Sequence, residues 1–143
     1  MYIINNMTTI TDLIQEYKNS KFNWGKIDCV TFAATVAYRY KNKEIPNIQE
    51  KLTYHDTKSA LQWLKAIGIN SFDDLHEAPE LFAGLKKKDI SEVKHGDIVY
   101  YIDSEHKSGL LGICNGVRAY FLSTENGLTA RNVEECKYCW SVE

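Results

Sequence analysis

One stretch of the sequence, Phe22 to Cys29, places a thiol directly behind a helix cap and directly before a helical pattern. Asp28 can accept hydrogen bonds from the first free amides of the following helix, which predicts it as the N-cap and Cys29 as the first helical residue. A thiol there faces the positive end of the helix dipole, which favours the nucleophilic thiolate. The Asp28 carboxylate opposes this effect unless the capping amides occupy its charge. The local sequence therefore permits a cysteine nucleophile without proving one.

Helices are predicted in the first two thirds of the chain, where apolar residues recur at helical spacing. The helix that starts at Cys29 contains several alanines, so other elements can approach it closely, and we expect it to be the central, most buried helix. Gly68 is a typical C-terminal end for the third predicted helix, Ala60 to Ile67. The predicted helices are Thr9 to Asn19, Cys29 to Tyr40 and Ala60 to Ile67, with short helical pieces at Ser71 to Leu75 and Pro79 to Leu85.

From Gly96 the pattern changes to short β-branched and aromatic runs separated by turn residues, which is typical of antiparallel strands. Asn115-Gly116 is a strong hairpin signal because both residues tolerate a positive φ. Together these patterns predict an α+β fold, with N-terminal helices packed on a meandering C-terminal antiparallel β-sheet, in one domain over residues 1–143. The predicted strands are Ile98 to Ile102, Leu110 to Cys114, Val117 to Leu122, Leu128 to Val133 and Tyr138 to Val142.

Composition narrows the possible partners. The chain has 143 residues and 44% of them are hydrophobic, which is enough for one core without metal or disulfide support. A formal net charge of -2 argues against nucleic-acid binding, and the short run Lys86 to Lys88 is expected to be a solvated face. No apolar stretch has the length of a membrane span, and Met1 to Asn6 lacks the pattern of a secretion signal. We therefore expect a protein that works where it is made or is carried out as part of an assembly.

The four cysteines suit a reduced compartment better than a disulfide framework. Cys136 and Cys139 have the spacing of half a zinc site, but no second pair exists and the histidines lack ligand spacing. In a strand these two cysteines would lie on opposite faces. We therefore expect ordinary packing for this pair, core burial for Cys114, and neither a metal nor another cofactor.

Two blocks of the sequence resemble a known superfamily: Trp24-Gly25 with Asp28-Cys29, and Gly96 to Tyr101 followed by Leu110 to Gly116. They resemble the NlpC-type, papain-like cysteine peptidases that cut bacterial cell-wall peptides. The resemblance implies a papain-like fold with Cys29 as the nucleophile. It also implies a histidine base at the head of a strand, but Leu110 occupies that position. The position of the residue that orients the base falls near Tyr120 or Phe121.

Leucine cannot move a proton, and the loss of acid-base work typically lowers a rate by roughly 10²- to 10⁴-fold. His106 is the best candidate for a substitute base because it lies on the approach to the same strand. Its polar neighbours also fit an exposed surface histidine. His55 and His95 are expected to be surface or boundary residues.

A narrower resemblance adds Gly127-Leu128, Cys136 and Trp140 to Val142. With these residues the sequence resembles a family of small bacteriophage proteins of unknown function. Proteins of that family are similar to degenerate NlpC domains and have an apolar residue in place of the histidine. This implies a non-catalytic structural or interaction protein of the phage particle or tail, found in the virion or in the host cytoplasm before assembly. Its partners would be other virion or tail proteins. The alternative is a cysteine peptidase or amidase that acts on peptidoglycan with a non-standard histidine as base.

Overall fold

The computed structural model of the protein describes residues 9–24, 28–45, 54–103, 108–123 and 127–143. Within these ranges the helices precede most of the sheet, and none of the described helices is long and apolar enough to cross a membrane. The helices are α1 Ile10–Gln15, α2 Cys29–Tyr40, α3 Thr57–Ala66 and α4 Ala78–Ala83, with a 3₁₀ helix over Phe72–Glu77 directly before α4.

The helix predictions are confirmed, with shifts at the ends. α2 begins and ends where predicted, and most of its residues are buried. α1 stops at Gln15, short of the predicted Asn19, because the next amides turn back to carbonyls three residues earlier. Gly68 has a φ of 99° just beyond α3, which is the left-handed conformation expected at a helix end.

In the described part of the chain the sheet has six antiparallel strands in the order β1-β6-β2-β3-β4-β5, which confirms the α+β class. β2 to β5 form the predicted meander, but β6 does not lie beside β5. It returns to pair with β2 and with β1, a strand of two charged residues that no pattern predicted. The strands are β1 Lys88–Asp89, β2 Ile98–Asp103, β3 Ser108–Cys114, β4 Arg118–Ser123, β5 Gly127–Asn132 and β6 Tyr138–Trp140.

The turn between β3 and β4 lies where Asn115-Gly116 predicted it. Gly116 has a positive φ of 98°, whereas Asn115 does not. The Asn115 side chain instead accepts hydrogen bonds from the amides of Val117 and Arg118, at 3.0 and 2.8 Å. The prediction is therefore confirmed in place and for the positive φ of Gly116, and it is wrong for Asn115, which contributes a hydrogen-bond acceptor to the turn.

Each face of the sheet carries its own apolar cluster. One face packs against α1, α2 and the 3₁₀ helix before α4, and Leu111 and Ile113 of β3 belong to this helix face. The opposite face contains Leu110 and Cys114, covered by residues such as Val133 from a short 3₁₀ segment. Since side chains alternate along a strand, neighbours on β3 point into different clusters.

A buried polar network joins the start of β2 to the end of the chain. The Asp97 side chain is 1% exposed and accepts hydrogen bonds from the Ser141 hydroxyl at 2.6 Å and from the Lys94 amide at 2.9 Å. The Lys88 ammonium lies 3.5 Å from Asp97 and also donates to the Ser141 hydroxyl. The expectation of a solvated face for Lys86 to Lys88 is therefore wrong for Lys88, which is recruited by a buried carboxylate.

We predict that Asp97→Asn lowers the free energy of unfolding by about 2 to 4 kcal/mol, because it leaves the Lys88 charge half-buried without its counter-charge. Chemical denaturation measures this loss. Asp89→Asn is the matched control, since Asp89 is an exposed carboxylate next to Lys88. Equal losses in the two variants would show that the buried ion pair does not stabilise the fold.

Candidate functional site

The start of α2 is organised by Asp28. Its side chain accepts a hydrogen bond from the Thr31 amide at 2.9 Å, and the Thr31 hydroxyl accepts one from the Asp28 amide at 2.8 Å. This reciprocal capping box places Cys29 in the first turn, as the sequence predicted. The predicted helix-cap role of Asp28 is therefore present in the structure.

Tyr54 is a residue of this site that the sequence did not reveal. Its hydroxyl donates a hydrogen bond of 2.6 Å to the second carboxylate oxygen of Asp28, and both side chains are buried. Burial, followed by the Asp28 charge, raises the pKa of Tyr54, so the phenol remains a donor. The two residues are 26 positions apart, and no local pattern connects them.

The Cys29 thiol is the opposite of an activated nucleophile. The residue keeps some exposure, but its sulfur is enclosed by protein. The pKa of the thiol is raised to about 12, and desolvation is the largest cause. The Asp28 charge also contributes to this rise in pKa, whereas hydrogen bonds from backbone amides, including those of Leu111 and Val30, oppose it. Burial and the adjacent carboxylate therefore outweigh the helix-start effect.

The described histidines lie in three separate places. Among the described groups that shift the pKa of Cys29 there is no imidazole. The His55 side chain is 81% exposed next to the α3 cap, and exposed His95 lies against the Gly116 turn, so both are surface residues. The candidate base His106 lies outside the described residues.

Leu110, where the resemblance implies the base, lies in β3 with its side chain in the cluster on the opposite face of the sheet from α2. Its neighbour Leu111 lies on the helix face and lends its amide to the Cys29 thiol. Of the two orienting candidates, Phe121 belongs to the Leu110 face and Tyr120 packs with the helix-face cluster. Because side chains alternate along β3, a histidine at position 110 would project away from Cys29.

A small apolar cavity of about 30 Å³ lies between α2, α4 and the helix face of the sheet. Val30 and Leu111, whose amides contact Cys29, both line it. α4 forms another wall of the cavity. The remaining lining residues are Ala33, Ala34, Tyr38, Ala78, Pro79, Phe82, Ala83, Leu85 and Ile98.

The other cysteines pack together on the far face of the sheet. Cys114, Cys136 and Cys139 are buried in one cluster, and burial raises the pKa of each thiol. The condition under which Cys136 and Cys139 would lie on opposite faces is not met, because Cys136 precedes β6 and is not part of the strand. Among the described residues no group of three or more His, Cys, Asp or Glu side chains could hold a metal ion.

His76 was also missed by the sequence. It is half-buried on the 3₁₀ helix before α4, with Lys87 Nζ 2.7 Å from its Nδ1. The contact shows that Lys87, like Lys88, is not part of a solvated face. Only the folded chain reveals this pair, since 11 residues separate its members.

The fold and site define an α+β protein whose central helix begins with a capped, half-buried cysteine beside an antiparallel strand. The chain belongs to the family described as Domain of unknown function (DUF6950), whose profile matches residues 5–142. A comparison with curated proteins gave no significant match.

We predict that Asp28→Asn lowers the pKa of Cys29, because it removes a charge that opposes the thiolate and keeps an oxygen for the Thr31 amide. Each pKa unit changes the thiolate fraction about tenfold, so alkylation by iodoacetamide at about pH 8.5 should become roughly 3- to 10-fold faster. Peptide mass spectrometry resolves this rate for Cys29 alone.

Thr31→Val is the matched control, because it disturbs the same capping box and leaves the Asp28 charge in place. Its alkylation rate should stay close to that of the wild type. Equal acceleration in both variants would assign the effect to a loosened helix start instead of to the charge.

Proposed function

We propose that this protein is a non-catalytic structural or interaction component of a bacteriophage particle, in the tail or next to it, built on a degenerate NlpC-type, papain-like fold. The observation that carries the non-catalytic part is the environment of Cys29. Its pKa is raised to about 12, so nearly all of the thiol is protonated at neutral pH.

The geometry of β3 supports the same proposal. An attacking thiol needs a base within hydrogen-bond reach. Leu110 has no proton-accepting group and packs on the far face of the sheet. The described neighbours that act on the thiol are a carboxylate already occupied as a cap and backbone amides that can only donate.

The papain-like part of the proposal rests on the sequence blocks around Cys29, Gly96-Asp97 and Leu110. Their arrangement in the fold supports it: a central helix begins at the cysteine and packs on an antiparallel strand whose Leu111 amide contacts the thiol. The phage and virion part rests on the narrower resemblance. Membership in a family of unknown function leaves that role open to test.

We predict no turnover of peptidoglycan stem peptides or acyl-thiol model substrates by the purified protein. Wild type and Cys29→Ala should be equally inactive while both remain folded by circular dichroism. Turnover by the wild type that Cys29→Ala abolishes would overturn the non-catalytic proposal, because it would require a working thiol.

We also predict that the protein is present in purified phage particles. Particles produced by a strain carrying the gene would be separated on a density gradient and analysed by quantitative mass spectrometry. The protein should follow the tail proteins at a constant ratio. Its presence only in the soluble lysate would contradict the virion role and favour a binding module inside the infected cell.

A cysteine peptidase or amidase is the second candidate function. One observation favours it: amides of Val30 and Leu111 approach the thiol from two elements and would stabilise a negative charge there. This function requires Cys29 to be alkylated faster in the folded protein than in the denatured chain. Slower alkylation in the folded protein would exclude it.

A further inference from the structure

The contact between His76 and Lys87 fixes the protonation state of the histidine. Lys87 Nζ lies 2.7 Å from His76 Nδ1, and a lysine ammonium has only hydrogens to donate. Nδ1 must therefore be the acceptor, which places the imidazole proton on Nε2. A doubly protonated ring would set two cationic donors against each other, and the bond would be lost.

The charges around His76 come from three parts of the chain. Asp74 and Glu77 belong to its own 3₁₀ helix, and Asp74 lies 3.9 Å from Nε2. Lys87 approaches from the segment after α4, and Lys137 from the segment before β6. Partial burial, followed by the Lys87 charge, holds the pKa of His76 below its usual value, and the two carboxylates oppose this shift only partly.

Aromatic rings hold the pair in place. The His76 ring packs on Tyr100 and Tyr138, with centroid distances of 5.4 and 5.6 Å. The Lys87 ammonium lies 4.5 Å from the centroid of the Tyr138 ring. Tyr100 in turn donates a hydrogen bond of 2.9 Å to the Asp73 carbonyl, which fastens the 3₁₀ helix to β2. The Lys87 ammonium therefore has a defined position between the His76 ring and the Tyr138 ring.

The contacts of Lys87 with His76 and Tyr138 anchor the segment that follows α4. Leu85, two residues before Lys87, lines the apolar cavity between α2 and α4 together with Phe82 and Ala83 of α4. α4 has only six residues and ends at Gly84 in the left-handed conformation. Such a short helix is held mainly by packing and by its anchors rather than by its own hydrogen bonds.

We propose that His76 and Lys87 form a proton-operated latch, in which protonation of His76 releases Lys87 and loosens α4 over the apolar cavity between α4 and α2. The proton comes from solvent and binds Nδ1, so no bond other than the hydrogen bond to Lys87 is broken. The device operates whether or not Cys29 reacts, so it is independent of the proposed function.

The direction of the pH dependence follows from the lowered pKa of His76. The unfolded chain binds this proton more readily than the folded protein does. The contribution to stability is therefore fully present above about pH 6.5, the ordinary histidine value, and is lost as the pH falls through the lower folded-state pKa. Acidification opens the latch, and neutral pH closes it.

Hydrogen exchange with mass spectrometry on the full chain tests the latch. The reporters are the Gly84 and Leu85 amides, which donate to carbonyls of α4 at 2.9 and 3.2 Å. After correction for intrinsic exchange, we expect their protection to fall at least about tenfold between about pH 7.5 and about pH 5. His76→Gln should keep its protection at both pH values, because a glutamine oxygen accepts from Lys87 and does not titrate.

Two further variants sharpen the experiment. Lys87→Met keeps the apolar stem and removes the ammonium, so it should lower protection at neutral pH and abolish the pH dependence. His55→Gln removes an exposed histidine and should behave as the wild type. The proposal is overturned if wild-type protection is independent of pH, or if it falls equally in His76→Gln.

A measurement on the wild type alone keeps the proposal testable if a variant fails to fold. Nitrogen-15 NMR of the imidazole should show the Nε2-protonated tautomer at neutral pH, with a titration midpoint below that of the same histidine in the denatured chain. A proton on Nδ1 at neutral pH would contradict the Lys87 hydrogen bond. A titration midpoint at or above that of the denatured chain would contradict the release of Lys87 by protonation.

Discussion

A buried carboxylate organises the part of this protein where chemistry was expected. Asp28 is 1% exposed, and a charge so far from water is stable only when hydrogen bonds replace its hydration. The Thr31 amide supplies one of them from inside α2, and the Tyr54 hydroxyl supplies another from the chain segment before α3. The same charge that fixes the helix start also acts on the adjacent thiol, where it disfavours the thiolate. Structural stability and nucleophile activation are therefore opposed at this position.

Features that depend on neighbouring residues could be predicted from the sequence. The bounds of α2 follow from the Asp28 cap and the apolar periodicity, and the β3–β4 turn follows from Asn115-Gly116. The position of β6 could not be predicted, because its pairing with β1 and β2 depends on residues about 40 or more positions away. Lys88 and Asp89 are both charged, and they form a strand because their backbone pairs with that of β6.

The candidate site was harder to predict for two physical reasons. The position of Cys29 at a helix start reveals the effect of the α2 amides on its thiol but not the desolvation imposed by the rest of the fold. Burial is the largest cause of the raised pKa of Cys29. The sequence also does not tell which residues of β3 face α2. A shift of one position exchanges the faces, and the structure places Leu111, not Leu110, on the side of Cys29. The pairing of His76 with Lys87 could not be predicted either, because their hydrogen bond depends on a contact that forms only in the folded chain.

The insertion of β6 between β1 and β2 has a consequence for how the chain folds during synthesis. Trp140, a fully buried side chain, lies on β6, which is synthesised after the other described strands, yet β6 lies inside the sheet. Until that segment emerges, β1 has no partner and one edge of β2 is open. The nascent domain thus exposes an apolar strand edge on the ribosome, the kind of surface that chaperones bind. Closure of the sheet between β1 and β2 therefore waits for the synthesis of β6.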